Sequence, residues 1–575
     1  MPRNKFDVII VGAGPSGCSA GIYLARKGYN VLILEKSRVP GHRNVSGGVI
    51  YGKYKKGYSL IDLLPDFEEE APVERKIIDH SICILSDIKK SSGKYSLQYD
   101  GSYNYKKYVL NKNSISAKLG LLNVNPASGI DYSILKSKFD KWLSTKFIEV
   151  GGLLSTENSV EDLIINNNRI IGVKTTDEEL YADVVIDASG VTSGLAEKAK
   201  LRSKLKSDQV YHGIKQVYQL SEEKIEERFN LKNGDGKAVF YLGNFMKGVS
   251  GGAFLYTNKD TISAGIVSSL DSLVDKCTNN PDELGKPIEL LEAFQNHPEL
   301  SQYLEGSTLL EYSAHNIPKG HKTMLKTPYT SGFLCIGDSL GSFVKIGALI
   351  DGIRRAIATG IMAGESFERA HKNNDFSAKG LSVYGKLLKP IYNDVFRSKI
   401  DSIFTENKLS YSTIPNLLFK YNLMTTSVST NKSETNDDDD VIKKIQKRTG
   451  ILDYSEDKDY SHIKVNYDSA SKSINKPWVP LCPVNCYTFV SDKGVFASPK
   501  DLYNYNLEMS SNSINDDKAS AKDLLKQTKS DIATSSLRFD HVACVACGTC
   551  GVIGPKDTIE FSDERRGHGV RYKYG

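Results

Sequence analysis

Phe6 to Lys36 reads FDVIIVGAGPSGCSAGIYLARKGYNVLILEK, thirty-one residues that spell a strand, a glycine turn, a helix and a second strand. Asp7 to Val11 is an apolar run of the kind that forms a buried parallel strand. Gly12-Ala13-Gly14-Pro15-Ser16-Gly17 then gives G-x-G-x-x-G between that strand and a helix, the context in which the pattern points to a dinucleotide. Gly12 permits the tight turn, Gly14 lets the backbone approach a pyrophosphate, and Gly17 lets the helix pack closely on the sheet. The diphosphate is expected on the free N–H groups at the helix start, where Pro15 and Ser16 stand. The second strand, Asn30 to Leu34, ends at Glu35, at the distance expected for holding the adenosine ribose hydroxyls, with Lys36 beside it.

The chain has 575 residues, enough for two or three domains. A net charge of +6 on 75 basic and 69 acidic residues is a mild bias without a dense basic block, so no nucleic-acid partner is expected. No apolar run reaches the roughly 18 residues of a membrane-spanning helix. Five residues precede the first strand, too few for a signal or transit peptide, so the protein is expected in a reducing cytoplasm. Nine cysteines, five of them after Leu481, suit metal or cluster ligation better than disulfides.

Further along, Arg43-Asn44-Val45-Ser46-Gly47-Gly48 is a polar loop whose glycines, Gly47 and Gly48, can bring backbone close to a flat ring. Apolar residues at helical spacing predict a helix over Asp131 to Phe147, with Trp142 in its core face. Leu163 to Val173 reads as a hairpin about Asn166-Asn167-Asn168, and Tyr181 to Ile186 as a strand ending in Asp187-Ala188-Ser189-Gly190. A hairpin inserted in a dinucleotide-binding sheet, then a small-residue turn through Ala188 and Gly190, is the layout of many FAD-binding folds. Leu201 to Leu325 reads as a second, mostly sheet-built region. The strand Gly332 to Ile336 ends in Gly337-Asp338, where Asp338 is placed to bind ribityl or phosphate-linked hydroxyls. The helix start near Asp351 and Gly352 would stabilise negative charge on a reduced flavin. With the N-terminal unit, Gly337-Asp338 favours FAD over NAD.

Thr425 to Asp440 reads as a linker or exposed loop, and Ile414 to Met424 as either a core helix or a membrane-surface contact. Met509 to Ser536 reads as a low-complexity insertion. Cys544-x2-Cys547-x2-Cys550 sets three thiolates on one curled loop, as in iron–sulfur clusters, whereas zinc sites come as separated C-x2-C pairs. The bacterial ferredoxin run continues to a Cys-Pro, but here that slot holds Gly554-Pro555. Cys482-Pro483 has the identity of the missing ligand, so one 4Fe-4S cluster is expected on Cys482, Cys544, Cys547 and Cys550, with Cys486 the competing fourth ligand. Cys18, Cys83, Cys277 and Cys335 read as buried small residues.

Residues 1 to about 400 resemble the electron transfer flavoprotein-quinone oxidoreductase family and its bacterial FixC relatives, within the wider geranylgeranyl reductase group. The likeness lies in VGAGPSG, RNVSGG, the segment Ser250 to Tyr256, and Gly337-Asp338. The tail, from Ser461-His462-Ile463-Lys464-Val465 through CPVNCYTF and FDHVACVACGTC to GHGVRYKYG, resembles the FixX ferredoxin. The resemblance implies an α/β fold: a FAD-binding Rossmann-like (GR2-type) domain, mainly 1–200 and 325–370, with a mixed-sheet substrate region, mainly 201–325. A connecting segment, 401–460, and an α+β ferredoxin-like domain, 461–575, with an insertion at about 505–536, would follow.

It implies a relay in which electron transfer flavoprotein, an alpha and beta subunit pair, passes electrons through the 4Fe-4S cluster and FAD to a quinone. The protein would then be cytoplasmic and peripheral on the cytoplasmic membrane. In that family the glycines matching Gly251 and Gly252 line the quinone site. Three departures stand out: Ser250 replaces a frequent tyrosine, Lys136 replaces an arginine, and Cys482 lies far from Cys544. The alternatives are a geranylgeranyl or polyprenyl reductase, and an electron-carrying subunit of a bifurcating complex.

Overall fold

The computed structural model describes residues 5–92, 99–111, 130–192, 194–346, 349–406, 417, 419–421, 426–430, 441–457, 460–511, 520–562 and 564–575. The opening stretch folds as read: strand Lys5–Val11, helix Pro15–Ala25 and strand Val31–Leu34. These strands sit inside an eight-stranded sheet whose main path adds Leu153–Ser155 on one side and Glu179–Asp187, Phe333–Cys335 and Tyr329–Thr330 on the other. Parallel registers pair Val11 with Leu34 and Asp187, and Asp187 with Cys335. The carboxyl ends of four strands therefore reach one edge together, where ligands bind in open α/β sheets. The turns that leave that edge begin at Gly12, Glu35, Ala188 and Ile336. The hairpin Val160–Asn166 and Arg169–Thr175 joins this sheet antiparallel through Glu179–Asp187.

Helix Pro15–Ala25 buries nearly every residue against the sheet and against the twenty-residue helix Ile353–Lys372. Small residues make this close crossing possible, since a Cβ on Gly360 would run into the Ser16 carbonyl.

The second sheet has eleven strands, in the main order Thr308–Pro318, Val210–Gln219, Thr261–Ser269, Gly251–Thr257, Asp235–Gly243, Val73–Leu85, Tyr99–Leu110 and Thr426–Thr430. The last of these falls in the stretch read as a linker. Thr426–Thr430, a Ser/Thr/Val run of fair strand propensity, pairs antiparallel with Tyr103 to Lys107 and extends the sheet edge. Asp131–Ile134 is likewise a strand, paired with Val49–Tyr51, and the helix starts only at Lys136. Its apolar spacing continues into the helix, which is why the two elements read as one. Trp142 does pack against the core of the first sheet. Ile414 to Met424 lies mostly outside the described residues, but Phe419 is buried against Ile82, Ile84 and Leu110.

The C-terminal segment holds a three-stranded sheet, Gly494–Phe496, Tyr487–Ser491 and Ser536–Phe539. Two more short ladders pair Asp453–Ser455 with Gly569–Arg571 and Ile463–Val465 with Ile559–Phe561. The low-complexity stretch contributes helix Ala521–Thr534, packed on helix Pro499–Ser511. This segment and the second sheet share one apolar core, in which Trp478, Leu481 and Tyr487 join Ile214, Leu273 and Tyr312. Among the described residues no helix is long and apolar enough to cross a membrane.

Candidate functional site

The glycine turn is held in a form that only glycines permit. Gly12 has φ +105°, and a Cβ there would stand 2.6 Å from the Ala188 carbonyl. Its N–H donates to Leu34 O at 2.8 Å, while Ala188 N donates to Val11 O at 2.9 Å. A Cβ on Gly17 would run into the Gly12 carbonyl. By contrast, a Cβ on Gly14 would meet only the Asn44 amide, at 3.5 Å, so the backbone there faces space rather than protein. That is the contrast expected if Gly14 is kept for a ligand and its neighbours for the fold.

Glu35, 7% exposed, accepts from Ala13 N–H at 2.9 Å through Oε2 and from Ser37 N–H at 2.9 Å through Oε1. The Ser37 hydroxyl also donates to Oε1, so three of a carboxylate's roughly four acceptor sites are taken and Oε2 keeps one for a ribose hydroxyl. Lys36 follows it directly on the chain. Asp187, fully buried, accepts from Ser189 N–H at 3.1 Å and from the Ser189 and Ser339 hydroxyls. It thereby ties the Ala188–Gly190 turn to helix Gly337–Leu340, and burial pushes its carboxyl up.

Gly337, at φ +60°, would bring a Cβ within 2.7 Å of the Ser16 hydroxyl, and its N–H donates to Thr359 Oγ1 at 3.0 Å. The two glycine motifs, more than three hundred residues apart, thus meet side by side. Burial pushes the Asp338 carboxyl up to about 6, against the opposing pull of Lys136 and Arg202. Gly352 caps helix Ile353–Lys372, but Asp351 before it is already bound by Arg354 and Arg355.

Gly47 and Gly48 lie along Tyr256 of the second sheet, with a Gly47 Cβ position 3.2 Å from the tyrosine hydroxyl. Next to Gly14, the Asn44 amide donates to Asp140 at 2.5 Å, and Asp140 is paired with Lys136 in a buried i,i+4 bridge. Sequence reading did not assign Asn44, Asp140 or Tyr256. Asn44, inside the RNVSGG loop, and Tyr256, at the end of the Ser250–Tyr256 segment, lay in stretches the sequence singled out, but neither was read as a site residue.

Gly251 and Gly252 stand apart from this turn, on the second sheet. A Cβ on Gly252 would meet the Phe240 ring and the Tyr241 carbonyl at 2.6 Å. Gly251 lines a small cavity with Tyr211, Phe240, Ser250, Lys345 and Glu406.

The five late cysteines converge. Cys482, Cys486, Cys544, Cys547 and Cys550 line one small cavity walled by Trp478 and Tyr487. Backbone N–H groups point at two sulfurs, Cys486 N to Cys482 Sγ at 3.2 Å and Ala546 N to Cys544 Sγ at 3.3 Å. His462 Nε2 lies 3.3 Å from Cys544 Sγ. The Cys486 thiol, and after it His462, hold Cys544 below the ordinary thiol range, whereas burial pushes Cys547 up to about 12. The Tyr487 hydroxyl is buried at this wall beside Cys550.

Among the described residues no three His, Cys, Asp or Glu side chains are set as ligands of a metal ion. A single zinc needs its sulfurs about 3.8 Å apart, from tetrahedral bonds of 2.3 Å, whereas in a cluster each thiolate meets a different iron across a wider cage. Five thiols on one cavity wall, with N–H groups directed at two of the sulfurs, suit the thiolate ligands of such a cluster. Cys486 sits in this ring as fully as Cys482, which its sequence spacing did not indicate.

The cysteine loop is seated on the flavin-side elements. Asn316 N–H donates to Cys547 O at 3.2 Å, Thr549 Oγ1 donates to Asn316 Oδ1 at 2.9 Å, and a Gly548 Cβ would meet Thr192 at 2.6 Å. Thr192 follows the Ala188–Gly190 turn by two residues.

The strand-end turns, the Gly337 motif and the open face of Gly14 define a FAD-dependent oxidoreductase, and the family model described as FAD dependent oxidoreductase matches residues 7–107. The chain belongs to the FixC family. It is 33% identical over 384 residues to Protein FixC of Salmonella typhi, covering 67% of this chain and 81% of that protein. It is also 29% identical over 420 residues to a probable electron transfer flavoprotein-quinone oxidoreductase, YdiS, of Escherichia coli K12, covering 73% of this chain and 90% of that one. Among solved structures it shares its fold with a geranylgeranyl bacteriochlorophyll reductase-like protein of Thermoplasma acidophilum. That likeness has a TM-score of 0.50 and 20% identity, covering 73% of this chain and 98% of that chain.

Proposed function

We propose that this flavoprotein is an electron transfer flavoprotein-quinone oxidoreductase that carries its own 4Fe-4S cluster. The observation that carries the reading is the ring of five cysteines seated, through Cys547, Gly548 and Thr549, on strand Thr308–Pro318 and on the turn beside the FAD motif. FAD, when bound, supplies the two-electron store between a one-electron donor and a quinone. The side chains and backbone of this protein hold and orient it: Gly12, Gly14, Pro15, Ser16 and Gly17 at the pyrophosphate, Glu35 and Lys36 at the adenosine ribose, and Ala188, Gly190, Gly337 and Asp338 along its middle. Gly47, Gly48 and Gly352 border the ring. Cys544, Cys547, Cys550 and Cys482 hold the cluster, with Cys486 placed to substitute for Cys482.

The quinone would enter the cavity beside Gly251 and Gly252. Helix Lys389–Thr405 leads to it and exposes Phe396, Ile400 and Ile403, 61%, 45% and 60% accessible, at i, i+4 and i+7 along one face. Leu417 and Tyr421 are exposed just beyond. An apolar stripe flanked by exposed Arg397 and Lys399 suits a helix resting on an anionic lipid surface. This supports a peripheral protein on the cytoplasmic face of a membrane, fed by the two-subunit electron transfer flavoprotein. In this reading 1–400 form the flavoprotein part, 401–460 the connection and 461–575 the cluster domain.

Anaerobic purification followed by iron and flavin analysis and EPR of the reduced protein tests the cluster. Stepwise flavin reduction, then addition of a short-chain quinone or a geranylgeranyl substrate, tests the reaction. Reoxidation by quinone alone supports the proposal. Reoxidation only by the isoprenoid, with a saturated product, moves the assignment to a prenyl reductase.

A further inference from the structure

Quinone reduction consumes protons as well as electrons, and one side of the cavity at Gly251 is wired for them. Glu406 lines the cavity and accepts the Tyr211 hydroxyl proton through Oε1, while the Ser250 hydroxyl donates to the Glu406 carbonyl at 3.4 Å. Behind Glu406, Lys319 Nζ lies 3.8 Å from its Oε2 with a side chain only 1% exposed. Lys319 also donates to the Ser269 hydroxyl and sits 3.4 Å from Asp271 Oδ1, and Ser269 Oγ donates to Asp271 at 2.5 Å. The Asp271 side chain is 44% exposed. A continuous polar path therefore runs from solvent at Asp271, through Ser269 and buried Lys319, to a carboxylate whose tyrosine partner faces the cavity. Phe240, Phe343, Val267 and Ile350 make most of the remaining lining apolar, with Lys345 the one further charged group on it.

We propose that Glu406 is the proton donor to the quinone, that Asp271, Ser269 and Lys319 connect it to solvent and that Tyr211 holds it at the cavity wall, an inference that rests on the quinone reading above. The balance requires such a donor. A reduced flavin anion releases two electrons and one proton on becoming oxidised flavin. The quinone takes two electrons and two protons as both C=O groups become C–OH, so one proton per turnover must come from elsewhere. Glu406 passes that proton to a quinone oxygen and is reprotonated along the Asp271 path. Burial lowers Lys319, which eases its release of a proton toward Glu406, and raises Tyr211, which keeps its proton and holds Glu406 by hydrogen bond. His321, Lys322, Lys345 and Asp401 also face this cluster.

The test uses the flavin- and cluster-loaded protein with two acceptors, a short-chain quinone that needs protons and ferricenium that needs none. In Glu406→Gln the ratio of quinone to ferricenium turnover is expected to fall about 10- to 100-fold. The KM for quinone should stay within about twofold, the solvent isotope effect on quinone reduction should rise, and Glu406→Asp should recover part of the loss. A readout without turnover is carbodiimide labelling followed by peptide mass spectrometry, in which short-chain quinone protects Glu406. An unchanged ratio, or labelling at Glu406 that quinone does not affect, overturns the assignment. If the parent protein reduces ferricenium but no quinone, the quinone reading itself fails, and the proton path with it.

Discussion

Asp338 shows what a single residue gives up for the site it serves. Packed into the strand-end cleft, its carboxyl is pushed up to about 6 by burial, from an ordinary 3.8. The folded chain therefore keeps a proton over the interval from about pH 4 to 6 that the unfolded chain has already released. Its contribution to stability is whole below pH 4 and is lost as pH rises through 6. At neutral pH, without a ligand, this one side chain works against folding by as much as about 3 kcal/mol. Asparagine has the same shape and no charge to bury. Urea unfolding of the flavin-free protein at pH 4.5 and 7.5 should show Asp338→Asn gaining stability relative to the parent only at the higher pH. Flavin affinity should fall at both. Equal pH dependence in the two proteins would mean that Asp338 is not the buried acid. A carboxylate that lowers stability in place is the signature of a residue kept for what it binds.

The pairing of helix Pro15–Ala25 with helix Ile353–Lys372 carries the next scale, because both cofactor motifs depend on it. Gly360 touches the Ser16 backbone, which cannot move without displacing the glycine turn, whereas a Cβ on Gly364 would meet the Tyr23 ring at 2.6 Å, and a ring can swing. Gly360→Ala should therefore cost about 1–3 kcal/mol and reduce bound flavin. Gly364→Ala should be near neutral, the strain being offset by about 1 kcal/mol of helix propensity. Calorimetric Tm values with flavin content per chain decide between them, and equal losses would count against the close crossing. Elements of this kind were legible because their signals are local. The glycine turn, the hairpin about Asn167 and the strand before Gly337 are each written within a dozen residues. Thr426–Thr430 was not legible, since its strand identity comes from an edge at Tyr103 to Lys107 that no local pattern announces. The same holds at the sites. Cys544, Cys547 and Cys550 declare themselves by spacing, but Cys486 and Glu406 acquire their surroundings only when distant strands bring them to a cavity wall.

Across the whole molecule, the flavin region and the cysteine-lined cavity are clasped by a buried ion pair between residues 521 apart in the chain. Arg43 opens the loop that carries Gly47 and Gly48. It pairs with Glu564, the two side chains 4% and 5% exposed, and also donates to His568 O. Glu564 in turn lies 3.7 Å from His462, which reaches Cys544. Removing one partner strands the other as a buried charge, which costs about 3–5 kcal/mol, whereas replacing both together is often nearly neutral. Arg43→Met and Glu564→Gln should each lower the unfolding midpoint and loosen both regions at once, because the C-terminal segment shares its core with the second sheet. The double variant should recover much of the loss, giving a coupling energy above about 1 kcal/mol. Denaturant titrations followed in parallel by flavin release and by thiol labelling of the late cysteines measure this. Coincident curves that shift together are the expected result. Labelling that runs ahead of flavin release, with single costs that simply add, would show a C-terminal segment that opens on its own and an ion pair that merely decorates the seam. Coincidence would instead mean that the distance between flavin and cysteine ring is set by the fold as a unit, which single-electron exchange between two fixed centres requires.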